Sequence, residues 1–228
     1  MSLQKIINIS NKLSFNRRRV VGIQYARNEI PRVSETPTMN PWKLQVSVSS
    51  SLKYNEARAI LEDLDRMDKT IPEVITFSNN PNLSWLLAYQ GGLTTIQRGN
   101  IIIQSFIGNQ LVLNVSTVNV SAGTYILKKG DFIQIQGQPY PFTSTSDVTR
   151  GVGSTVTVTT HRPNIITDSV MGYGLNWGND VQFQMFCPNM PTYTLSPGGY
   201  HRVGNAVVNN ALVSFDGDFN LYEMVGNA

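Results

Sequence analysis

From Leu3 to Asp68 the sequence reads as a strand, a long basic hairpin, a second strand and one amphipathic helix. Residues 6–15 and 20–25 are β-prone. The segment 27–41 holds three prolines (Pro31, Pro37, Pro41) among mixed charges (Arg27, Glu29, Arg32, Glu35). Trp42, Leu44, Val46 and Val48 then alternate with Lys43, Gln45 and Ser47, the period of a half-buried strand. From Asn55 the period turns helical. Ala57, Ile60, Leu61 and Leu64 make one stripe, which Met67 extends. Asn55 is placed to cap this helix, with Glu56 in its first turn. Glu62 with Arg66, and Asp65 with Lys69, stand at i,i+4 on the outer face. Pro72 forces an exit into a strand over 73–77, and the helix is expected across the sheet of its flanking strands.

A chain of 228 residues suits one large domain or two small ones, and 41% hydrophobic residues are enough for a core. Only 14% are charged, so Asn, Gln, Ser and Thr must supply much of the surface. The formal net charge is +3, but its distribution says more. Residues 1–53 carry nine Lys/Arg against two acids, whereas 56–73 hold six acids. Such a basic arm and acidic helix attract between neighbouring copies of one chain, or are simply two solvated faces. The run Arg17-Arg18-Arg19 is short and few aromatics interleave with it, which argues against specific nucleic-acid recognition. The single cysteine, Cys187, excludes an internal disulfide. It shares a face with Val181, Phe183 and Met185 and reads as a small buried hydrophobe. The first residues lack the apolar run of a signal peptide, and no stretch approaches a membrane span. A cytoplasm-like compartment and no membrane association are expected.

Further along, 78–99 reads as a connector. Asn79-Asn80-Pro81 is a turn or a helix start, and Gly91-Gly92 is a stop. Between them, 83–89 is a short helix or a strand. As a helix it would turn Trp85, Leu86 and Tyr89 inward. Residues 100–165 look like a separate small all-β unit, barrel-like or a sandwich. Its strands over 100–103, 110–115, 124–127, 131–135 and 155–159 are punctuated by Gly108, Gly123, Gly130, Gly137, Gly151 and Gly153. Strands return over 181–187, 192–195, 206–208, 211–215 and 219–224. Asp216-Gly217 signals a hairpin between the last two. The expected organisation is a discontinuous β domain, 1–99 with 166–228, around an inserted β domain, 100–165.

Chemistry is hard to place on this chain. His161 and His201 have no His, Cys or Glu at metal-ligand spacing and read as surface or loop residues. No Gly-x-Ser-x-Gly elbow, Walker loop or dinucleotide fingerprint occurs. Asp216 and Asp218 flank a turn glycine and read as turn ligands of backbone groups, not as an acid/base pair. Trp42, Trp85, Trp177 and Tyr200 could form a sugar platform, but core or interface packing is the commoner fate. No catalytic residue, metal or cofactor is expected.

The ordered pattern Leu3-Gln-Lys-Ile-Ile-Asn-Ile9, the arm 19–41, Trp42-Lys-Leu-Gln-Val-Ser-Val48 and Glu56-Ala-Arg-Ala-Ile-Leu61 resembles tailed-bacteriophage tail proteins of the tail-tube-fold group. These include distal tail, tube-initiator and baseplate proteins. The runs 181–195 and 215–223 look like their closing strands, and 127–135 resembles small β modules that decorate phage structural proteins. The resemblance rests on patterns across most of the chain, without a diagnostic motif. It implies a tube-like β-sandwich or split barrel with one flanking α-helix, in a homo-oligomer, a hexameric ring. The ring would lie in the virion, at the distal end of the tail tube or in the baseplate, after assembly in the host cytoplasm. It would touch other tube and baseplate proteins, and DNA only in transit through its lumen. The extra middle unit favours a distal or baseplate position. Arg17, Arg18, Arg19, Arg27, Glu29, Arg32 and Glu35 become candidate subunit-interface residues, on an arm that stays extended until it docks. A glycan- or receptor-binding β module, with Trp177 and Tyr200 as contacts, is the alternative.

Overall fold

The computed structural model describes every residue except 1, 18–20, 26–30, 36–40, 49–50, 68–70, 199, 204–205, 210 and 226–228. For 2, 17, 21–25, 31–35, 200–203 and 206–209 it describes the backbone alone. Helix α1 (Ser2–Ile9) and strand β1 (Lys12–Arg17) open the chain, followed by β2 (Val21–Tyr25) and β3 (Pro31–Glu35). Next come β4 (Trp42–Ser47), β5 (Leu52–Lys53), helix α2 (Tyr54–Arg66) and β6 (Glu73–Thr76). A 3-10 turn at Ser84–Leu87 and helix α3 (Thr95–Gly99) lead to β7 (Ile102–Ile107) and β8 (Gln110–Asn114). Short strands continue as β9 (Tyr125–Leu127), β10 (Phe132–Ile135), β11 (Pro141–Thr143), β12 (Val148–Thr149) and β13 (Thr155–Thr159). The last part holds β14 (Leu175–Trp177), β15 (Gln182–Phe186), β16 (Tyr193–Ser196), β17 (Tyr200–Val203), β18 (Ala206–Asn209), β19 (Leu212–Phe215) and β20 (Phe219–Glu223). The protein is mainly β, as expected. It has three α-helices among the described residues where one was expected.

The chain divides into two compact units. One comprises Met1–Asn16, Trp42–Trp85 and Gln184–Met224; the other comprises Arg17–Pro41, Leu86–Phe183 and Val225–Ala228. The stretch Leu86–Phe183 is longer than the expected insert, 100–165, at both ends. The reason is burial: Leu93 before it, and Val170, Leu175 and Trp177 after it, pack into the same core as Leu113, Ile126 and Ile133.

In the first unit a five-stranded sheet runs in the order β1-β4-β20-β15-β6, so strands from both ends of the chain interleave. The alternation seen at 42–48 is the alternation of burial: Trp42, Leu44, Val46 and Val48 are buried. Met185 and Cys187 are fully buried by the same rule, as are Val181 and Phe183 at the end of the other unit. The β-prone reading of 6–15 fails over its first part, because residues 6–9 belong to α1. Leu3, Ile6, Ile7 and Ser10 stand at i, i+3, i+4 and i+7 and are all buried. This helix also finishes an edge. The Gln4 side chain accepts from Thr76 N–H at 2.8 Å and donates to Thr76 O at 2.9 Å, occupying backbone groups of the outermost strand, β6.

Helix α2 does not lie across that sheet. Its buried Ala57 and Leu61 pack with Val213, Leu52 and Phe215, on a separate sheet of order β16-β19-β5. Asn55 lies inside the helix; the cap position is Lys53, which makes no side-chain cap bond. Glu62 and Arg66 pair at 3.4 Å as expected, while Lys69 lies outside the described residues. The Asp216-Gly217 signal misleads as well. It links β19 to β20, but β19 pairs with β16 and β5, whereas β20 pairs with β15 and β4. Gly217 has φ +124, so the glycine makes a corner between two sheets.

In the second unit, β7 and β8 form the hairpin predicted around Gly108, and β13 pairs with β8 along its whole length. The remaining strands are short and group as β11-β10-β14 and β12-β9. These separate sheets do not close into a barrel. Strands β9 to β12 run for only two to four residues, with positive-φ glycines at 123, 130 and 137 in the turns between β8 and β11, too short for a continuous ring of pairing. Both ends of the Leu86–Phe183 stretch are tied into this core. Tyr89 stacks edge-on against Trp177 at 5.7 Å and donates to Ile126 O at 2.5 Å. Gln134 accepts from Gln182 N–H at 2.9 Å and donates to Gln182 O at 2.8 Å. The inward set expected for a helix over 83–89 is only partly right. The turn is 3-10, so Leu83 and Leu87 are buried, Trp85 is 66% exposed and Leu86 is exposed.

Candidate assembly surface

Two β-hairpins stand between strands of the larger sheets. The first lies between β1 and β4, which are neighbours in the five-stranded sheet. Between them the chain passes through β2 and β3, which pair with Val21 opposite Glu35 and Tyr25 opposite Pro31; contrary to the expected 1–99 domain, Arg17–Pro41 belongs to the same compact unit as Leu86–Phe183. The hairpin read from the sequence is thus present and paired, with β3 lying inside the 27–41 stretch. Of the proposed interface residues, Arg18, Arg19, Arg27 and Glu29 lie outside the described residues. Arg17 ends β1, while Arg32 and Glu35 lie in β3 opposite Gln24 and Val21.

The second ribbon was missed at the level of sequence. β16 pairs with β19 from Tyr193↔Phe215 to Ser196↔Leu212. β17 and β18 then pair from Tyr200↔Asn209 to Val203↔Ala206. A Gly204-Asn205 pair between two β-prone runs was the signal for this hairpin.

At the base of the second ribbon lies a cleft of about 330 Å³. One wall is the last turn of α2, with Leu64 and Asp65; the other runs from Met190 through Pro191 and Thr192 to Tyr193, with Phe215 between. The chain folds this way because Phe215 is held from two sides, by Tyr193 at 6.4 Å and Phe219 at 5.2 Å. Asp216 N–H donates to Thr192 O at 2.8 Å, which positions the loop before β16. Beside the cleft, β16 is the outermost strand of its sheet among the described residues, and all four of its residues are exposed. Tyr193 (37%) and Leu195 (53%) are apolar on that edge. An outer strand offers unpaired backbone groups, and apolar side chains on it favour cover by another chain.

Electrostatics around α2 is local. Lys5 bonds and ion-pairs with Asp63, holding that carboxyl below its ordinary range. The same charge pairing ties α1 to α2.

The chemical candidates are dispersed. His161 lies in a loop just past Thr160, as expected, but is half-buried and accepts from Thr143 N–H through Nδ1 at 3.0 Å. Its cause is the neighbouring bridge between Ser144 and Thr160. The His201 side chain lies outside the described residues. Asp218 does not bind turn backbone; it accepts from Gln45 Nε2 at 2.7 Å and from Ser47 Oγ, both on β4. Trp177, a candidate glycan contact, is buried against Tyr89 and cannot serve as a platform. Trp42 is buried too. Among the described residues, no group of three His, Cys, Asp or Glu could hold a metal ion, and no helix is long and apolar enough to cross a membrane.

No protein-family model matches the chain, and no curated protein is similar enough to count as a relative.

Proposed function

We propose that this protein is a structural subunit of a bacteriophage tail. Its fold would be a variant of the tail-tube β-sandwich. It assembles as a hexameric ring at the distal end of the tube or in the baseplate, and it connects the tube to baseplate components. The observation that carries this reading is the long basic excursion between two neighbouring strands, β1 and β4, in a sheet that needs only a short turn there. An added hairpin of this kind gives a ring subunit a surface for a different surface on the next copy, as rotationally closed contacts require. The Leu86–Phe183 unit adds a module that a plain tube subunit does not need.

The test is the oligomeric state of the purified chain. Light scattering should give six copies, and electron-microscopic class averages should show a closed ring with a lumen. Deleting residues 28–37 should leave a folded monomer by circular dichroism. A wild-type chain that stays monomeric at high concentration, or a deletion variant that still forms native-sized rings, would overturn the reading.

A further inference from the structure

Resting on the ring reading above, we infer that the cleft between α2 and β16 is the receiving site for the Arg17–Pro41 segment of a second copy. Three observations lead there. The cleft is lined by Leu64, Met190, Pro191, Tyr193 and Phe215, with Asp65 adding negative charge to an otherwise mainly apolar lining. Strand β16, at its rim, offers an outer edge with Tyr193 and Leu195 exposed. The Arg17–Pro41 segment has the complementary composition: five arginines against two glutamates, interleaved with Val21, Ile23, Tyr25, Ile30 and Val33.

The physics of the fit is that of strand addition with a charged register mark. A β-ribbon laid along β16 satisfies the edge N–H and C=O groups. The cleft takes apolar side chains from that ribbon, since about 300 Å³ is the lower end of the volumes that recessed sites occupy. An arginine beside Asp65 selects the register and disfavours the reverse pairing. The donor and the receiver are different surfaces, so each copy gives one arm and takes one, which is the heterologous contact that closes a ring.

The test uses the full-length chain with three changes: Asp65→Lys, the pair Arg27→Glu/Arg32→Glu, and all three together. Asp65 is exposed on the helix, so thermal melts should confirm a folded chain in each case. The concentration at which rings dissociate, read by light scattering, should rise at least about tenfold for Asp65→Lys and for the arginine pair. It should return to within about threefold of wild type when all three are combined. If Asp65→Lys leaves ring assembly unchanged while deletion of 28–37 still abolishes it, the cleft is not the receiver, although the arm reading stands. If neither change affects the ring, the arm reading fails and this assignment fails with it. Loss in both charge reversals without recovery in the combination also overturns the pairing.

Discussion

Asn80 Nδ2 donates to the carbonyl oxygen of Ser10 at 2.9 Å, closing the end of α1 with a side chain seventy residues away in sequence. The same amide also reaches Ile7 O, while its oxygen accepts from Asn82 N–H at 2.7 Å and Leu83 N–H at 3.0 Å. Both residues are fully buried. One planar amide thus satisfies carbonyls left over by the helix and donors left over by the turn after β6. Replacement by Ala would strand several buried polar groups at once. Asn80→Ala should cost about 3 kcal/mol in urea unfolding. A loss under about 1 kcal/mol would mean that water substitutes for the amide and that Asn80 is not the latch.

Gly178 has φ +60, and a Cβ there would sit 2.6 Å from Tyr89 N and 2.8 Å from Leu87 O, both backbone atoms. Gly172 has φ +85 but open space around it. Its N–H donates to Ile103 O while Ile103 N–H donates to Tyr173 O, a bulge whose first residue must be left-handed. The two glycines separate conformation from space. Gly172→Ala should cost about 1 kcal/mol, and Gly178→Ala more than about 3 kcal/mol. Equal melting temperatures for the two variants would show that the backbone of 87–89 moves aside without penalty.

Burial pushes the Tyr89 phenol from its ordinary 10.0 up to about 12. Between those values the unfolded chain loses the proton and the folded chain keeps it. Stability contributed by Tyr89 is therefore complete below pH 10 and falls as the pH rises towards 12. Tyr89→Phe should cost about 1 kcal/mol at pH 7, from the bond to Ile126 O, and should flatten the alkaline decline in melting temperature. Parallel declines for the two proteins would contradict the assignment.

Asp147 behaves in the opposite sense. Lys129 N–H donates to its carboxylate at 2.8 Å, and Lys128 Nζ lies 3.5 Å away, so its carboxyl is held below the ordinary 3.8. On acidification the unfolded chain takes up that proton first. The contribution is present above about pH 4 and is lost as pH falls through the lower folded value. Asp147→Asn should therefore shrink the difference in melting temperature between pH 7 and pH 3. An unchanged difference would place the acid sensitivity elsewhere.

Local patterns were legible where one element decides its own burial. The period of two at 42–48 and the apolar face of 181–187 survive in the structure, as do Ala57, Leu61 and Leu64 of the helical stripe, whereas Ile60 and Met67 are only half-buried. So do the glycine turns at 108, 123, 130 and 137, because positive φ is a property of single residues. Helix α1 was legible and misread. Leu3, Ile6 and Ile7 carry helical spacing, but a short run rich in isoleucine is also β-prone.

The sequence by itself determined that the chain is mainly β, where its strands alternate, which glycines turn it, and that basic charge gathers in the arm while acid gathers near α2. Each of these depends on backbone sterics or on neighbours a few residues apart. Tertiary structure alone decided that β19 and β20 part company at Asp216-Gly217, that α2 covers the β16-β19-β5 sheet, and that Trp177 is buried while Trp85 is not. It also assembled the cleft, whose walls come from residues near 64, 190 and 215. Those outcomes depend on which strands compete successfully for the same edges and apolar faces. That competition is settled by packing between segments far apart in the chain, and no local period encodes it.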